Sequence, residues 1–230
     1  MGTGRSGAKK KGGFRKFSGK SRWGMEYEGD GKEEAAFFAE HSNADELTAE
    51  IASDDDKERA FRGWVSGDFM YGQQYGGFSN MDSEEQKRTR IYDDVLDRAT
   101  LDQGVELRRL ASAELALGKG NKVATLEDLK AMKGRIVTSK GNMSTAAASE
   151  GLEIGDSGKN VEYNFKIPGG TTGAGMWIGD KRINGFGTSQ REFMMNRDTS
   201  FRVGKTKLDK ARNVYVVDME YIGLNEHDYK

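Results

Sequence analysis

The sequence predicts an α+β fold in which helices come first and antiparallel strands follow. Two patterns carry that prediction. Up to about residue 99, apolar residues recur at helical spacing behind acidic or hydroxyl capping residues. From about residue 104, short runs of alternating polarity separated by glycines take over. Composition agrees, since 31 Gly against a single Pro in 230 residues means that turns rest on permissive backbone rather than on fixed φ.

Ser53-Asp54-Asp55-Asp56 caps a helix with Phe61, Trp64 and Val65 on one side. Ser83-Glu84-Glu85-Gln86 reads as a capping box opening a second helix, with Ile91, Tyr92, Val95, Leu96 and Ala99 at helical spacing. A loop rich in Gly, Tyr and Phe, Gly67 to Asn80, separates the two. Thr125-Leu126-Glu127-Asp128 starts a third helix that includes Leu129 and Met132. Strands are predicted over residues 105–110, 135–138, 143–146, 161–167, 176–178, 190–195, 200–203 and 214–222. In the fourth of these, Val161, Tyr163, Phe165 and Ile167 alternate before Pro168-Gly169-Gly170 ends the run. Along 190–195 the same alternation places Gln190, Glu192 and Met194 on one face, with Arg191 and Phe193 on the other.

Net charge is −1, but it is unevenly spread. Residues 1–25 hold eight Lys/Arg and no acid, and residues 26–58 hold thirteen Asp/Glu against Lys32 and Lys57. Residues 1–44 therefore read as a flexible extension, basic then acidic, ahead of one folded domain over 45–230. The basic arm, interleaved with Phe14, Phe17 and Trp23, fits either a nucleic-acid partner or a tail folded against the acidic block behind it. The absence of Cys excludes a disulfide scaffold, a thiolate-held zinc and a cysteine nucleophile. His41 and His227 read as solvated, so no metal site is expected. Gly19-Lys20-Ser21 and Gly204-Lys205-Thr206 are not phosphate loops, because Phe14 and Thr199 stand where the earlier glycine is required. No apolar run reaches membrane-spanning length and no signal-peptide pattern opens the chain, which places its expected work in the cytoplasm of a host or target cell.

Three short motifs fall in order along the chain: Arg108-Arg109 in a strand, Ser144-Thr145-Ala146 in another, and Gln190-Arg191-Glu192 opening a third. Together they resemble the mono-ADP-ribosyltransferase family of bacterial toxins and bacteriophage proteins, with its Arg…Ser-Thr-Ser…Gln/Glu-x-Glu signature. The resemblance spans roughly residues 60–222. Leu107 and Leu110 replace the family's usual aromatic and glycine around the arginine, and Ala146 its last serine. It implies a helical N-terminal lead-in packed on a two-sheet, mostly antiparallel β core, and NAD as ADP-ribose donor with no metal.

By that resemblance, Arg108 matches the NAD-gripping arginine and Arg109 the second, the roles exchanging if the register differs by one. Both would supply forked donors to the NAD diphosphate. Ser144 would orient Glu192 by a hydrogen bond, with Thr145 assisting. Glu192 would stabilise the charge that develops on the ribose as nicotinamide leaves. Gln190 would meet the acceptor, with Phe186 docking it. A carboxamide donates and accepts at once but cannot remove a proton. It suits an Asn or Gln side chain or a guanine base, and makes arginine the least fitting acceptor. The acceptor is thus a macromolecule, protein or nucleic acid, with the basic arm favouring the latter slightly. An NAD glycohydrolase, or a non-catalytic phage protein keeping the fold, remains the alternative.

Overall fold

A computed structural model describes residues 13–19, 31–66, 77–150, 152–153 and 160–229. Trp23, most of the basic arm and residues 67–76 of the predicted loop lie outside these. Helices α1 (Lys32–His41), α2 (Ala44–Ala52), α3 (Asp55–Ser66) and α4 (Ser83–Leu96) lead the chain. The Asp54 carboxylate accepts from the Asp56 and Lys57 amides at 3.0 and 3.1 Å, capping α3. The capping box of α4 lies one residue earlier than the sequence spacing predicts. Asp82 accepts from the Glu85 amide at 2.8 Å, and Glu85 accepts from the Asp82 amide at 3.1 Å. This register places two carboxylates against the positive end of the helix dipole. Two short helices come next, α5 (Glu114–Leu117) and α6 (Leu126–Ala131), the latter capped reciprocally by Thr125 and Asp128.

The strands are β1 (Thr100–Leu101), β2 (Val105–Ala111), β3 (Ile136–Thr138), β4 (Met143–Ala146), β5 (Leu152–Glu153), β6 (Val161–Ile167), β7 (Thr171–Thr172), β8 (Gly175–Trp177), β9 (Glu192–Met195), β10 (Thr199–Asp209) and β11 (Val214–Leu224). Among the described residues they form a two-stranded sheet, β1-β7, and a nine-stranded sheet ordered β3-β10-β11-β6-β2-β4-β9-β8, with β5 beside β2. Among the described strands, β6–β11 and β2–β5 pair parallel. The fold is the predicted α+β arrangement of helices on a mostly antiparallel two-sheet core. Strand β2 sits at a junction in the larger sheet. It pairs with β6 from Val105↔Ile167 to Ala111↔Val161, yet meets β4 through the single registered pair Arg108↔Ala146.

Order begins before residue 45, contrary to the reading of 1–44 as a flexible extension. Helix α1 buries Phe37 and Phe38, and Phe17 from the basic arm packs against both, with ring centroids 5.4 and 6.3 Å away. Phe38 stacks on Trp177 at 4.9 Å and touches Phe193 at 5.6 Å. Arg15 extends the sheet locally, donating its amide to Gly104 at 2.7 Å and accepting from Glu106 at 2.9 Å. Its guanidinium pairs with Glu33, and Lys16 pairs with Glu106 at 3.0 Å. This part of the arm is folded against acids of its own chain. Two adjacent phenylalanines in an acidic helix show no periodic stripe, so only the apolar surface of Trp177 and Phe193 reveals their place.

The other end is also tied down. Arg197 is held by Asp93 at 2.9 Å and by Asp198 at 3.0 Å, and Tyr229 donates its hydroxyl to Asp93 at 2.9 Å. His227, expected to be solvated, is instead half-buried and held between Asp97 at 2.9 Å and Asp198 at 3.2 Å. Burial works against its charged form, but hydrogen bonds to Asp198 and Asp97 and the charge of Asp93 outweigh that and raise its pKa. Charged His227 therefore stabilises the folded state below the ordinary histidine range, and that contribution is lost as pH rises through the raised value.

Two outcomes are expected. Phe38→Ala lowers the unfolding free energy by about 3–5 kcal/mol in urea titrations; a merely appended α1 would leave it unchanged. In thermal melts at stepped pH, the advantage of wild type over His227→Gln shrinks from pH 6 upward, and a pH-independent difference would refute the linkage.

Candidate active site

The antiparallel ladder between β4 and β9 runs from Met143↔Met195 to Ala146↔Glu192, which sets Ser144 diagonally across from Glu192. Ser144 Oγ donates to Glu192 Oε1 at 2.6 Å, and the indole Nε1 of Trp64, on α3, donates to the same oxygen at 3.2 Å. Arg109 Nη1 donates to the Ser144 carbonyl at 2.9 Å. Arg109, Ser144, Glu192 and Trp64 thus converge where β2, β4 and β9 meet α3. Periodicity assigns Trp64 only to a helix core. A buried indole needs an acceptor for its N–H, and that need is the signal the sequence offers.

Glu192 is only 4% exposed, and both bonds fall on Oε1. Burial raises its pKa above the ordinary carboxyl range, while the hydrogen bonds from Ser144 and Trp64 and the charge of Arg109 pull the other way. The group is a carboxyl held at a desolvated position by fixed donors.

Alternation along β2 separates its two arginines. Arg109 shares a face with the buried Leu107, and its guanidinium reaches the Ser144 backbone carbonyl. Arg108 shares a face with Glu106 and donates to Glu162 Oε1 at 3.0 Å. Glu162 is fully buried and also accepts from Arg212 at 2.6 and 3.0 Å. Arg109 is thus the arginine whose guanidinium reaches the Ser144 carbonyl, while the Arg108 guanidinium pairs with Glu162 and its backbone registers with Ala146. Thr145 also faces away, its hydroxyl donating to the Phe193 carbonyl at 2.7 Å. It fastens β4 to β9 rather than lining the site.

The predicted strand from Gln190 begins two residues late. Gly187–Gln190 forms a 3₁₀ turn and Arg191 adopts a left-handed conformation with φ 51°, so the alternation that put Gln190 beside Glu192 does not apply. Gln190 is buried at the end of this turn. Phe186 precedes it half-buried, its amide held by Asn184 Oδ1 at 2.9 Å. Among the described residues no group of three His, Asp or Glu is placed to hold a metal. A cavity of about 580 Å³ opens elsewhere, along α3 and α4 beside Asp55, Arg59, Arg62 and Arg88, and includes none of the converging residues.

The family model described as ADP-ribosyltransferase exoenzyme matches residues 72–228. The chain belongs to the ADP-ribosyltransferase exoenzyme family. It is accordingly an NAD-dependent ADP-ribosyltransferase. Similar solved structures include C3stau2 from S. aureus with NAD, at 15% identity and TM-score 0.62, covering 91% of this chain and 100% of that one. The Clostridium limosum C3 exoenzyme shows 14% identity and TM-score 0.65, covering 91% and 98%. Plx2a, an ADP-ribosyltransferase toxin from Paenibacillus larvae, shows 15% identity and TM-score 0.62, covering 85% and 96%. At such identities these likenesses show the fold. No curated protein matches the chain by sequence.

In this ADP-ribosyltransferase, Trp64→Phe keeps the ring and removes one donor from Glu192. Because that hydrogen bond lowers the carboxyl pKa, the acidic limb of the pH profile for nicotinamide release should move to higher pH. A limb that stays in place would show that the indole does not support the carboxylate.

Proposed function

We propose that the chain transfers ADP-ribose from NAD to a carboxamide-like acceptor, an Asn or Gln side chain or the amide edge of guanine, in the cytoplasm of a target cell. The observation that carries this reading is the buried Glu192 carboxylate, fixed by Ser144 and Trp64 beside Arg109. The donor set suits NAD: a forked cation for a diphosphate, and a carboxylate whose Oε2 accepts no hydrogen bond among the described residues. NAD supplies the ADP-ribosyl group, and its bond to nicotinamide breaks as positive charge develops on the ribose.

Glu192 stabilises that charge in place, and low local polarity strengthens the effect. Ser144 and Trp64 keep the carboxylate from swinging away, so little reorganisation is needed when the bond breaks. Gln190 orients the acceptor through paired donor and acceptor atoms and takes no proton. The described part of the basic arm adds little toward nucleic acid, because Arg15 and Lys16 are paired with Glu33 and Glu106. A protein carboxamide is therefore the favoured acceptor.

Labelled NAD offered with protein and nucleic-acid acceptors tests the reading. Glu192→Ala should lower nicotinamide release on the order of a hundredfold or more. Gln190→Ala should keep release into water and lose transfer. Release by wild type without transfer to any acceptor would favour a glycohydrolase, and undiminished transfer by Gln190→Ala would remove its acceptor role.

A further inference from the structure

Helix α1 lies outside residues 72–228, which the family model matches, yet it reaches the turn that carries Gln190. Glu34 Oε1 accepts from Arg191 Nε at 3.0 Å, and the side chains are 3% and 5% exposed. Arg191 stands between Gln190 and Glu192 and holds the left-handed conformation that ends the 3₁₀ turn. Its carbonyl accepts from the Ala147 amide at 2.9 Å, tying the same residue to the end of β4.

Two glycines show how closely the N-terminal segment fits this turn. A Cβ on Gly31, which has φ +63°, would sit 2.2 Å from the Thr188 carbonyl oxygen. A Cβ on Gly19 would sit 2.5 Å from Arg191 Nε. Gly19 also accepts from the Ser149 amide at 2.8 Å, so the arm, α1, the turn and the segment after β4 share one contact region. An arginine at an uncommon backbone conformation persists only where its surroundings hold it. Here the surroundings are a desolvated carboxylate with fixed geometry.

We propose that Glu34 is a positioning residue for acceptor transfer, holding Arg191 so that Gln190 and Glu192 keep their relative placement. The proposal rests on the reading of Gln190 as the acceptor-facing group. Glu34 touches neither NAD nor acceptor; it acts through Arg191. The N-terminal segment is then part of the catalytic unit rather than an extension of it.

The test uses the full chain. Glu34→Gln leaves the buried guanidinium without its carboxylate and risks misfolding, so the deciding variant is Glu34→Leu with Arg191→Met, which removes both charges and keeps apolar volume. Melting temperature and far-UV circular dichroism establish that it folds. Amide hydrogen exchange of residues 187–192 is expected to speed up by about tenfold or more, the scale of one charge-assisted hydrogen bond. With N-acetylasparagine amide and guanosine as acceptor probes, the ratio of transfer to nicotinamide release is expected to fall on the same scale, with the KM for NAD unchanged. Unchanged exchange would overturn the proposal, as would faster exchange with an unchanged ratio. A wild type that releases nicotinamide but transfers to neither probe sinks the acceptor reading instead. In that case the exchange result alone decides whether Glu34 holds the turn.

Discussion

A carboxylate taken out of water must be met by hydrogen bonds or by opposite charge, and Glu192 sets that requirement for the surrounding structure. Ser144 answers it from the neighbouring strand, Trp64 from a helix 128 residues earlier, and Arg109 through its charge. Each answer fixes an element. The β4–β9 register has to place Ser144 across from Glu192, α3 has to lie with its indole toward the sheet, and β2 has to present its second arginine. Shift any of these by one residue and the carboxylate loses a donor, because side chains on a strand change face with every step.

Strand β2 serves two ion systems at once. On one face Arg109 joins Ser144, and on the other Arg108 and Arg212 neutralise the buried Glu162. The two faces do not compete, since alternation keeps the guanidinium groups apart. Removing one partner of such a buried cluster is more disruptive than never having built it, so the cluster ties β2 to β6 and to the turn before β11. That anchorage keeps the single β2–β4 pair, Arg108↔Ala146, in register beside the site.

Much of the fold is legible in the sequence. Helical spacing locates α3 and α4, capping residues locate α6, alternation locates β6, and the order of short motifs associates Ser144 with Glu192 across 48 residues of chain. Three features are not legible. Helix α1 looks like an acidic tail because Phe37 and Phe38 find their partners in Trp177 and Phe193, which lie far along the chain. His227 looks solvated because its acids come from α4 and from the residue before β10. Arg191 looks like an outward-facing strand residue because nothing local announces a left-handed conformation at arginine.

By itself the sequence determined the class of fold, which depends on periodicity, and the family, which its ordered short motifs resemble. Tertiary structure alone decided which arginine reaches the Ser144 carbonyl, that Trp64 is the second donor to Glu192, and that Gln190 sits in a turn pinned by Glu34. The physical reason is the same in each case. Local pattern fixes which face of an element a side chain leaves from, but not which distant donor or acceptor waits there. For buried charges, that distant partner decides the conformation.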